Sequence, residues 1–228
     1  MISKLPNVTT SIFAVMSKMA SDYKALNLSQ GFPNFNSDSL LIELVNKAMR
    51  DGFNQYAPMP GDLGLREMIS FKVASLHNKN YNIDTEITVT AGATQAIFTA
   101  LAAVINKGDE VIIFTPAYDC YEPAIELFGG KSIPVQLKAP LFQPDWSEVE
   151  DKITSNTKLI IINSPHNPSG VIFSKDDMLQ LQNLVEKSGF KVLTRTSLSR
   201  MASISSLPSY NSIGLTPKTS RISFCLGL

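Results

Sequence analysis

The feature that most constrains the fold is an alternation of apolar β-rich runs with helices in the middle of the chain. Near-continuous apolar strands that alternate with helices are typical of a parallel sheet covered by helices on both faces. The sequence therefore predicts an α/β fold with a mostly parallel sheet. Strands are predicted at 86–90, 110–114, 131–136, 158–163 and 190–193, and helices at 94–105, 118–128, 145–153 and 174–188. An earlier helix is predicted at about 39–51, with Ser37-Asp38 as its N-terminal cap.

Three short loops follow strand ends in this pattern, at 92–94, 116–118 and 164–170. Ligands bind at the carboxyl ends of parallel strands, so we expect the three loops to form one site. The first loop is a strand-to-helix turn of small residues. Its unpaired N–H groups and the helix dipole favour a phosphate. The alternative is an ordinary strand–turn–helix with Thr94 near the N-cap.

Two stretches carry a family resemblance. Residues 86–121, EITVTAGATQAIFTALAAVINKGDEVIIFTPAYDCY, and 163–170, NSPHNPSG, together resemble the class I/II pyridoxal-phosphate (PLP) aminotransferases of fold type I. SQGFPNF at 29–35 and NQYAPMPG at 54–61 are most similar to the methionine/kynurenine/glutamine aminotransferase subgroup. The resemblance implies the large domain of the type I PLP-dependent transferase fold, incomplete here and preceded by an N-terminal arm.

The resemblance also implies a domain division. We expect an N-terminal arm and substrate loop over 1–36, a partial PLP-binding large domain over 37–193 and an aberrant Ser-rich tail over 194–228.

The matching residues imply how PLP would be held. Gly92, Ala93 and Thr94 would seat its phosphate, with backbone N–H groups as donors. Tyr118 would stack on its ring, and Asn167 would hydrogen-bond the ring's phenolic oxygen and the substrate carboxylate. From the residues alone, Tyr118 is also readable as a core tyrosine, and Asn-Pro-Ser-Gly as a plain turn.

The sequence also predicts a role or an environment for four further residues. By resemblance, Tyr56 would reach the cofactor phosphate of a neighbouring subunit, and Gly31 would lie against the substrate's carboxylate end. A loop aromatic and a turn glycine are the alternatives. Arg66 is predicted to be a solvated helix residue, and His166 a loop residue that transfers no proton.

The sequence departs from the family after Leu193. By spacing, the aspartate that pairs with the pyridinium nitrogen falls at about Arg195, and a ring-oxygen tyrosine at about Leu198. The Schiff-base lysine would fall just past Leu228, and none of the 15 lysines present, Lys218 included, has its context. The family's carboxylate-binding arginine is missing as well.

The composition of residues 194–228 changes too, because they hold no Asp or Glu, and Ser plus Thr fill 13 of the 35 positions. A disordered Ser-rich tail is one interpretation. A reading-frame slip is the other, since codons for 195–201 read two bases out of frame can spell Asp-Glu-x-x-Glu-His, as in the family.

Composition excludes several other classes. Basic and acidic residues balance at 20 each, which gives no sign of nucleic acid or an anionic membrane as a partner. Two cysteines and two histidines provide neither a disulfide framework nor a metal site. No signal peptide or membrane-spanning run is visible, so a cytoplasmic location is expected. A dinucleotide-binding module is disfavoured because no G-x-G-x-x-G follows the first strand.

Two functional hypotheses follow. The first is a homodimeric, PLP-dependent aminotransferase that moves an amino group between an amino acid and a 2-oxo acid. Its substrates would be like methionine, glutamine, aromatic residues or kynurenine, and β-elimination from cysteine conjugates is a sibling chemistry. The second is an inactive fragment with residual PLP-phosphate or subunit binding, which we expect to be poorly stable and prone to aggregate.

Overall fold

A computed structural model of the chain describes residues 3–6, 8–31 and 33–196, with backbone only at 194–196. The described residues form two compact units, one between 6 and 58 and one made of 59–196 with 3–5. The domain boundary predicted at residue 37 stays a prediction. The predicted tail lies outside the described residues from 197 onward. No helix within the described ranges is long and apolar enough to cross a membrane.

The unit between residues 6 and 58 contains two helices. Helix α1 spans Ile12–Asp22 and helix α2 spans Ser39–Arg50. The N-cap of α2 is Asp38, whose side chain accepts a hydrogen bond from the Leu40 N–H at 2.8 Å, as Ser37-Asp38 predicted. No residue of either helix is buried.

The second unit is built on a four-stranded parallel sheet. The strands are β1 (Glu110–Thr115), β2 (Lys131–Gln136), β3 (Thr157–Ser164) and β4 (Lys191–Thr196), in the spatial order β2-β1-β3-β4. The predicted α/β fold with a parallel sheet is therefore confirmed. Strand β1 is buried along its centre, and β3 is buried over its last six residues, which explains why the sequences of both strands are unbroken apolar runs.

Side chains alternate between two cores on the two faces of the sheet. Val111 and Ile113 pack with α4 (Gly92–Val104) and α5 (Tyr121–Leu127). Ile112 and Phe114 belong to the opposite core with residues of α6 (Trp146–Asp151) and α7 (Lys175–Ser188). Because each crossover helix covers one face, the carboxyl ends of the strands stay open for the loops that follow them.

Helix α3 (Leu63–His77) contains a residue whose predicted environment is wrong. Arg66 is buried rather than solvated, with 7% of its surface exposed. Its Nε donates to the Gly61 carbonyl at 3.2 Å and its Nη1 to the Ile83 carbonyl at 2.5 Å. Two backbone acceptors that lie far apart in the sequence therefore share one guanidinium, a contact that helical periodicity cannot reveal.

The prediction of a strand at 86–90 is also wrong, because these described residues form no strand. The segment has no partner among the four strands of the sheet. Instead, the Val89 N–H donates to the Pro60 carbonyl at 2.9 Å. A β-rich composition specifies a strand only where a neighbouring strand supplies the ladder, and here the backbone acceptors, Pro60 and Asn82, belong to loops.

Candidate functional site

The predicted phosphate seat lies at the start of α4. The helix begins at Gly92, two residues before the predicted start, so Gly92, Ala93 and Thr94 form its first turn. The Ala91 N-cap makes no side-chain capping bond, and Gly92 has a φ of +82°, which favours glycine. The Gly92 N–H donates to the Thr90 carbonyl at 2.8 Å, whereas the Ala93 and Thr94 N–H groups have no intrahelical acceptor. The helix dipole adds partial positive charge there.

Neighbouring side chains shape the entry to this turn. The Gln95 side chain accepts a hydrogen bond from the Ala91 N–H, and the Thr90 hydroxyl donates to the Gly92 carbonyl at 3.1 Å. These bonds fix the backbone before the helix. The Thr94 side chain is exposed beside it and is available to an anion together with the backbone donors.

Tyr118 lies next to the seat, in the loop after β1. Its hydroxyl oxygen is 3.3 Å from Thr94 Oγ1, a contact across 24 positions of sequence. Its ring meets the Tyr121 ring edge-on, with centroids 5.8 Å apart. Tyr118 is half-buried, so it keeps an open side while packing on the core. The structure thus brings together the residues predicted for the phosphate and for the ring.

The Asn167 loop follows β3, the strand next to β1. The loop closes on itself, because the His166 N–H donates to the Val171 carbonyl at 2.8 Å and the Gly170 N–H donates back to the His166 carbonyl at 2.6 Å. The Ser164 hydroxyl also accepts from the Phe173 N–H at 3.1 Å. Asn167 is half-buried at the edge of this closed turn.

His166 has a buried environment that the sequence did not predict. It is a loop residue, as predicted, but only 4% of its surface is exposed. Its Nδ1 is 2.8 Å from Ser169 Oγ, and its ring stacks on Phe173 at 13°. Burial lowers the pKa of His166 below 6.5, against a smaller opposite effect of a hydrogen bond with the Phe114 backbone. In the sequence, the three-residue spacing of His166 and Ser169 was the one signal of their contact.

Gly31 and Tyr56 belong to the unit between residues 6 and 58. Tyr56 is fully exposed, and a Cβ on Gly31 would meet no atom within 4 Å. Their predicted contacts with substrate and with a neighbouring subunit stay predictions.

The positions that depart from the family lie at or beyond the end of β4. Arg195, where the ring-nitrogen aspartate was expected, pairs with Asn163 of β3, so its backbone lies at the carboxyl edge of the sheet. Leu198, Lys218 and Leu228 lie outside the described residues.

The donor set of the described residues fits one end of a PLP molecule. A helix N-terminus offers donors to a phosphate, a half-buried tyrosine lies beside it, and an amide lies at the adjacent strand end. Gly92 and Ala93 carry little or no side chain, so they leave room for close approach to the backbone.

Comparisons with known proteins show to which family the chain is similar. The sequence profile of the family described as "Aminotransferase class I and II" matches residues 23–194. Methionine aminotransferase of Escherichia coli is 45% identical over 179 residues, 78% of this chain and 46% of that protein. Human kynurenine–oxoglutarate transaminase 3 is 32% identical over 195 residues, 81% of this chain and 43% of that protein.

Solved structures give the same result. YbdL from Escherichia coli, described as having a methionine aminotransferase function, superposes with a TM-score of 0.82 at 42% identity, over 86% of this chain and 51% of its own. N-succinyldiaminopimelate aminotransferase from Mycobacterium tuberculosis gives a TM-score of 0.81 at 32% identity, over 86% and 51%. The chain thus spans about half the length of the relatives it matches.

Proposed function

This chain belongs to the class I and II aminotransferases, and on that premise we propose that it supplies the cofactor-phosphate side of a PLP-dependent transaminase. The observation that carries the proposal is the 3.3 Å contact between the Thr94 and Tyr118 hydroxyls, with the Asn167 loop on the neighbouring strand. Amino acids and 2-oxo acids are the proposed substrates. Methionine and kynurenine, which the names of the relatives contain, are the proposed amino donors.

Each described residue has a definite proposed task. The backbone N–H groups of Ala93 and Thr94 donate to the phosphate, and the Thr94 hydroxyl adds a further donor. Tyr118 covers one face of the pyridine ring and limits water there. The Asn167 amide donates to the phenolic oxygen of the ring and thereby fixes the ring's orientation. When bound, PLP withdraws electrons from the amino acid α-carbon, the chemistry that transamination requires.

Further parts of the proposal come from the family resemblance. A homodimer is proposed, in which Tyr56 reaches the partner's cofactor phosphate and Gly31 contacts the substrate's carboxylate end. The cytoplasmic location also stays a prediction from the sequence. No lysine of the chain has the sequence context that the family resemblance implies for the Schiff-base lysine, so binding and amino transfer are tested separately.

The binding test compares two threonines of the same helix. Titration of the chain with PLP, followed by absorbance and by ³¹P NMR, should give saturable binding that inorganic phosphate displaces. Thr94→Ala should weaken binding about tenfold, since it removes a hydrogen bond to a charged group. Thr99→Ala, an exposed change on α4 away from its first turn, is the control. Equal effects of the two changes would contradict the assigned seat.

The transfer test supplies PLP, a 2-oxo acid and single amino acids. Formation of the matching 2-oxo acid from methionine or kynurenine, faster than from aspartate, is the expected result. Saturable binding without any transfer would limit the chain to cofactor binding. Faster transfer from aspartate would contradict the proposed substrate class.

A further inference from the structure

A buried histidine is linked by aromatic packing to both loops that the proposed function assigns to the cofactor ring. His166 directly precedes Asn167, and its ring stacks on Phe173, which in turn meets the Phe114 ring edge-on. Phe114 is the penultimate residue of β1, four positions before Tyr118. Because β1 and β3 are adjacent and parallel, this group of three rings connects the loop after β3 with the carboxyl end of β1.

The surroundings of the imidazole hold it in one orientation. Nδ1 lies 2.8 Å from Ser169 Oγ, within the closed turn that follows β3. The ring lies nearly parallel to Phe173, with centroids 6.3 Å apart, and Phe173 meets Phe114 edge-on at 5.5 Å. Aromatic packing thus fixes the plane of the ring, and the hydrogen bond with Ser169 fixes its rotation within that plane.

The backbone of His166 is held as firmly as its ring. Its N–H and its carbonyl both take part in the closed turn described above, with Val171 and Gly170. Asn167 follows directly, so the direction in which its side chain leaves the loop depends on this fixed peptide. The phosphate seat, in contrast, is built from the first turn of α4 and its own local hydrogen bonds.

We propose that His166 is a positioning residue that fixes Asn167 relative to the Tyr118 loop for contact with the cofactor ring, without contributing to the phosphate seat. The proposal rests on the proposed function, since it assumes that these two loops hold the ring. It predicts a selective effect: loss of the imidazole weakens binding of the ring and leaves binding of phosphate alone unchanged.

The test uses two ligands and the full chain. 4-Deoxypyridoxine 5-phosphate has the ring and the phosphate but no aldehyde, so its binding requires no lysine; inorganic phosphate probes the seat alone. His166→Phe keeps an aromatic ring for Phe173 and removes the hydrogen bond with Ser169. We expect its affinity for the ring compound to fall about tenfold, the usual effect of a lost buried hydrogen bond, and its affinity for phosphate to change less than about twofold.

Two controls separate positioning from general destabilisation. His77→Phe removes the other histidine, which is also buried (7% exposed), and should leave the affinities for both ligands unchanged. Thr94→Ala should weaken both ligands together. Ser169→Ala removes the hydrogen-bond partner of His166 Nδ1 with a smaller change of side-chain volume. It should weaken the ring compound more than phosphate, by a smaller factor than His166→Phe. If His166→Phe does not fold, Ser169→Ala alone decides the test.

The outcomes are distinguishable. If wild type binds both ligands and neither His166→Phe nor Ser169→Ala favours phosphate over the ring compound, the positioning role is refuted and the proposed function stands. Equal weakening of both ligands would assign His166 a merely structural role and would also refute it. If wild type binds neither ligand, the proposed function fails and the inference fails with it.

Discussion

Arg66 shows how one residue can connect segments that no local pattern relates. Its guanidinium binds the carbonyls of Gly61 and Ile83, which lie on either side of helix α3 in the sequence. Arg66→Met keeps most of the apolar stem and leaves both acceptors without this donor. We expect the free energy of unfolding to fall by roughly 2–4 kcal/mol, as for buried groups that lose a charged hydrogen-bond partner. Urea unfolding followed by circular dichroism measures it.

The control for this prediction is Asp84. Its carboxylate lies 3.6 Å from Arg66 Nη1 but is 76% exposed, so the ion pair should contribute less than about 1 kcal/mol. Asp84→Asn should therefore change stability little. A loss in Asp84→Asn as large as in Arg66→Met would mean that the ion pair, rather than the backbone acceptors, holds the guanidinium.

Protonation of His166 should make stability depend on pH in a defined direction. Burial lowers the pKa of His166 in the folded chain below the ordinary value of 6.5. Between the folded and unfolded pKa values the unfolded chain binds more protons, so the free energy of unfolding is highest above pH 6.5 and falls as the pH falls toward the folded pKa. Urea unfolding on both sides of this range should show a steeper pH dependence in wild type than in His166→Phe. Equal slopes would contradict a buried neutral imidazole.

Residue environments were predictable from the sequence where the partner is near in the chain. Asp38 was identified as a helix cap because its bond reaches only two residues ahead. The environments of Arg66 and His166 depend on Ile83 and Phe114, which are 17 and 52 positions away. No helical or strand periodicity encodes such contacts, so Arg66 was predicted to be solvated and His166 to be an ordinary loop residue.

At the scale of elements, the four strands of the sheet were predicted to within a few residues, and the two central strands, β1 and β3, are continuously apolar because both of their faces are buried. Segment 86–90 has a similar composition and forms no strand, since pairing with a neighbour is not visible in composition. Amide hydrogen exchange should separate the two cases. Val111, Ile112 and Ile113 should exchange slowly, while residues 87–90 exchange quickly except at Val89, whose N–H is bonded to Pro60. Uniform protection across 86–90 would contradict this account.

Helix α7 is fixed at its start by a capping box that also reaches α6. The Ser174 hydroxyl and the Asp177 carboxylate cap each other's backbone N–H groups, and Asp177 Oδ1 also accepts from Trp146 Nε1 at 2.8 Å. Ser174→Ala should cost about 1 kcal/mol of stability. Asp177→Ala should cost more, because it also leaves the mostly buried indole N–H without this acceptor.

Chemical denaturation checks the order of these two losses, with Ser188→Ala, an exposed change at the other end of α7, as the control. Fluorescence of Trp146, the one tryptophan of the chain, should shift in Asp177→Ala and not in Ser174→Ala. The same shift in both variants would show that the indole responds to helix fraying rather than to its own lost bond.

At the scale of the molecule, the sequence pattern predicted one sheet with helices on both faces, and the family resemblance supplied the site. The grouping of residues 6–58 into a unit of their own was not predicted, because it depends on which helices find partners rather than on the pattern within each helix. The convergence of the Tyr118 and Asn167 loops followed from the rule for parallel strands, and these loops do lie at neighbouring strand ends.

Helix α2 leaves an apolar face exposed, and this should govern how the chain behaves in solution. Leu40, Leu41, Leu44 and Val45 are each at least half exposed, although their spacing is that of a buried helix face. Contiguous exposed apolar surface drives association. We therefore expect the sedimentation coefficient of the chain to rise with concentration. The double change Leu40→Lys with Leu44→Lys should suppress that rise, while Glu43→Lys, which alters the net charge by the same amount, should not. If Glu43→Lys suppresses association equally, charge rather than the apolar face controls it, and the exposed face of α2 has no part in the assembly.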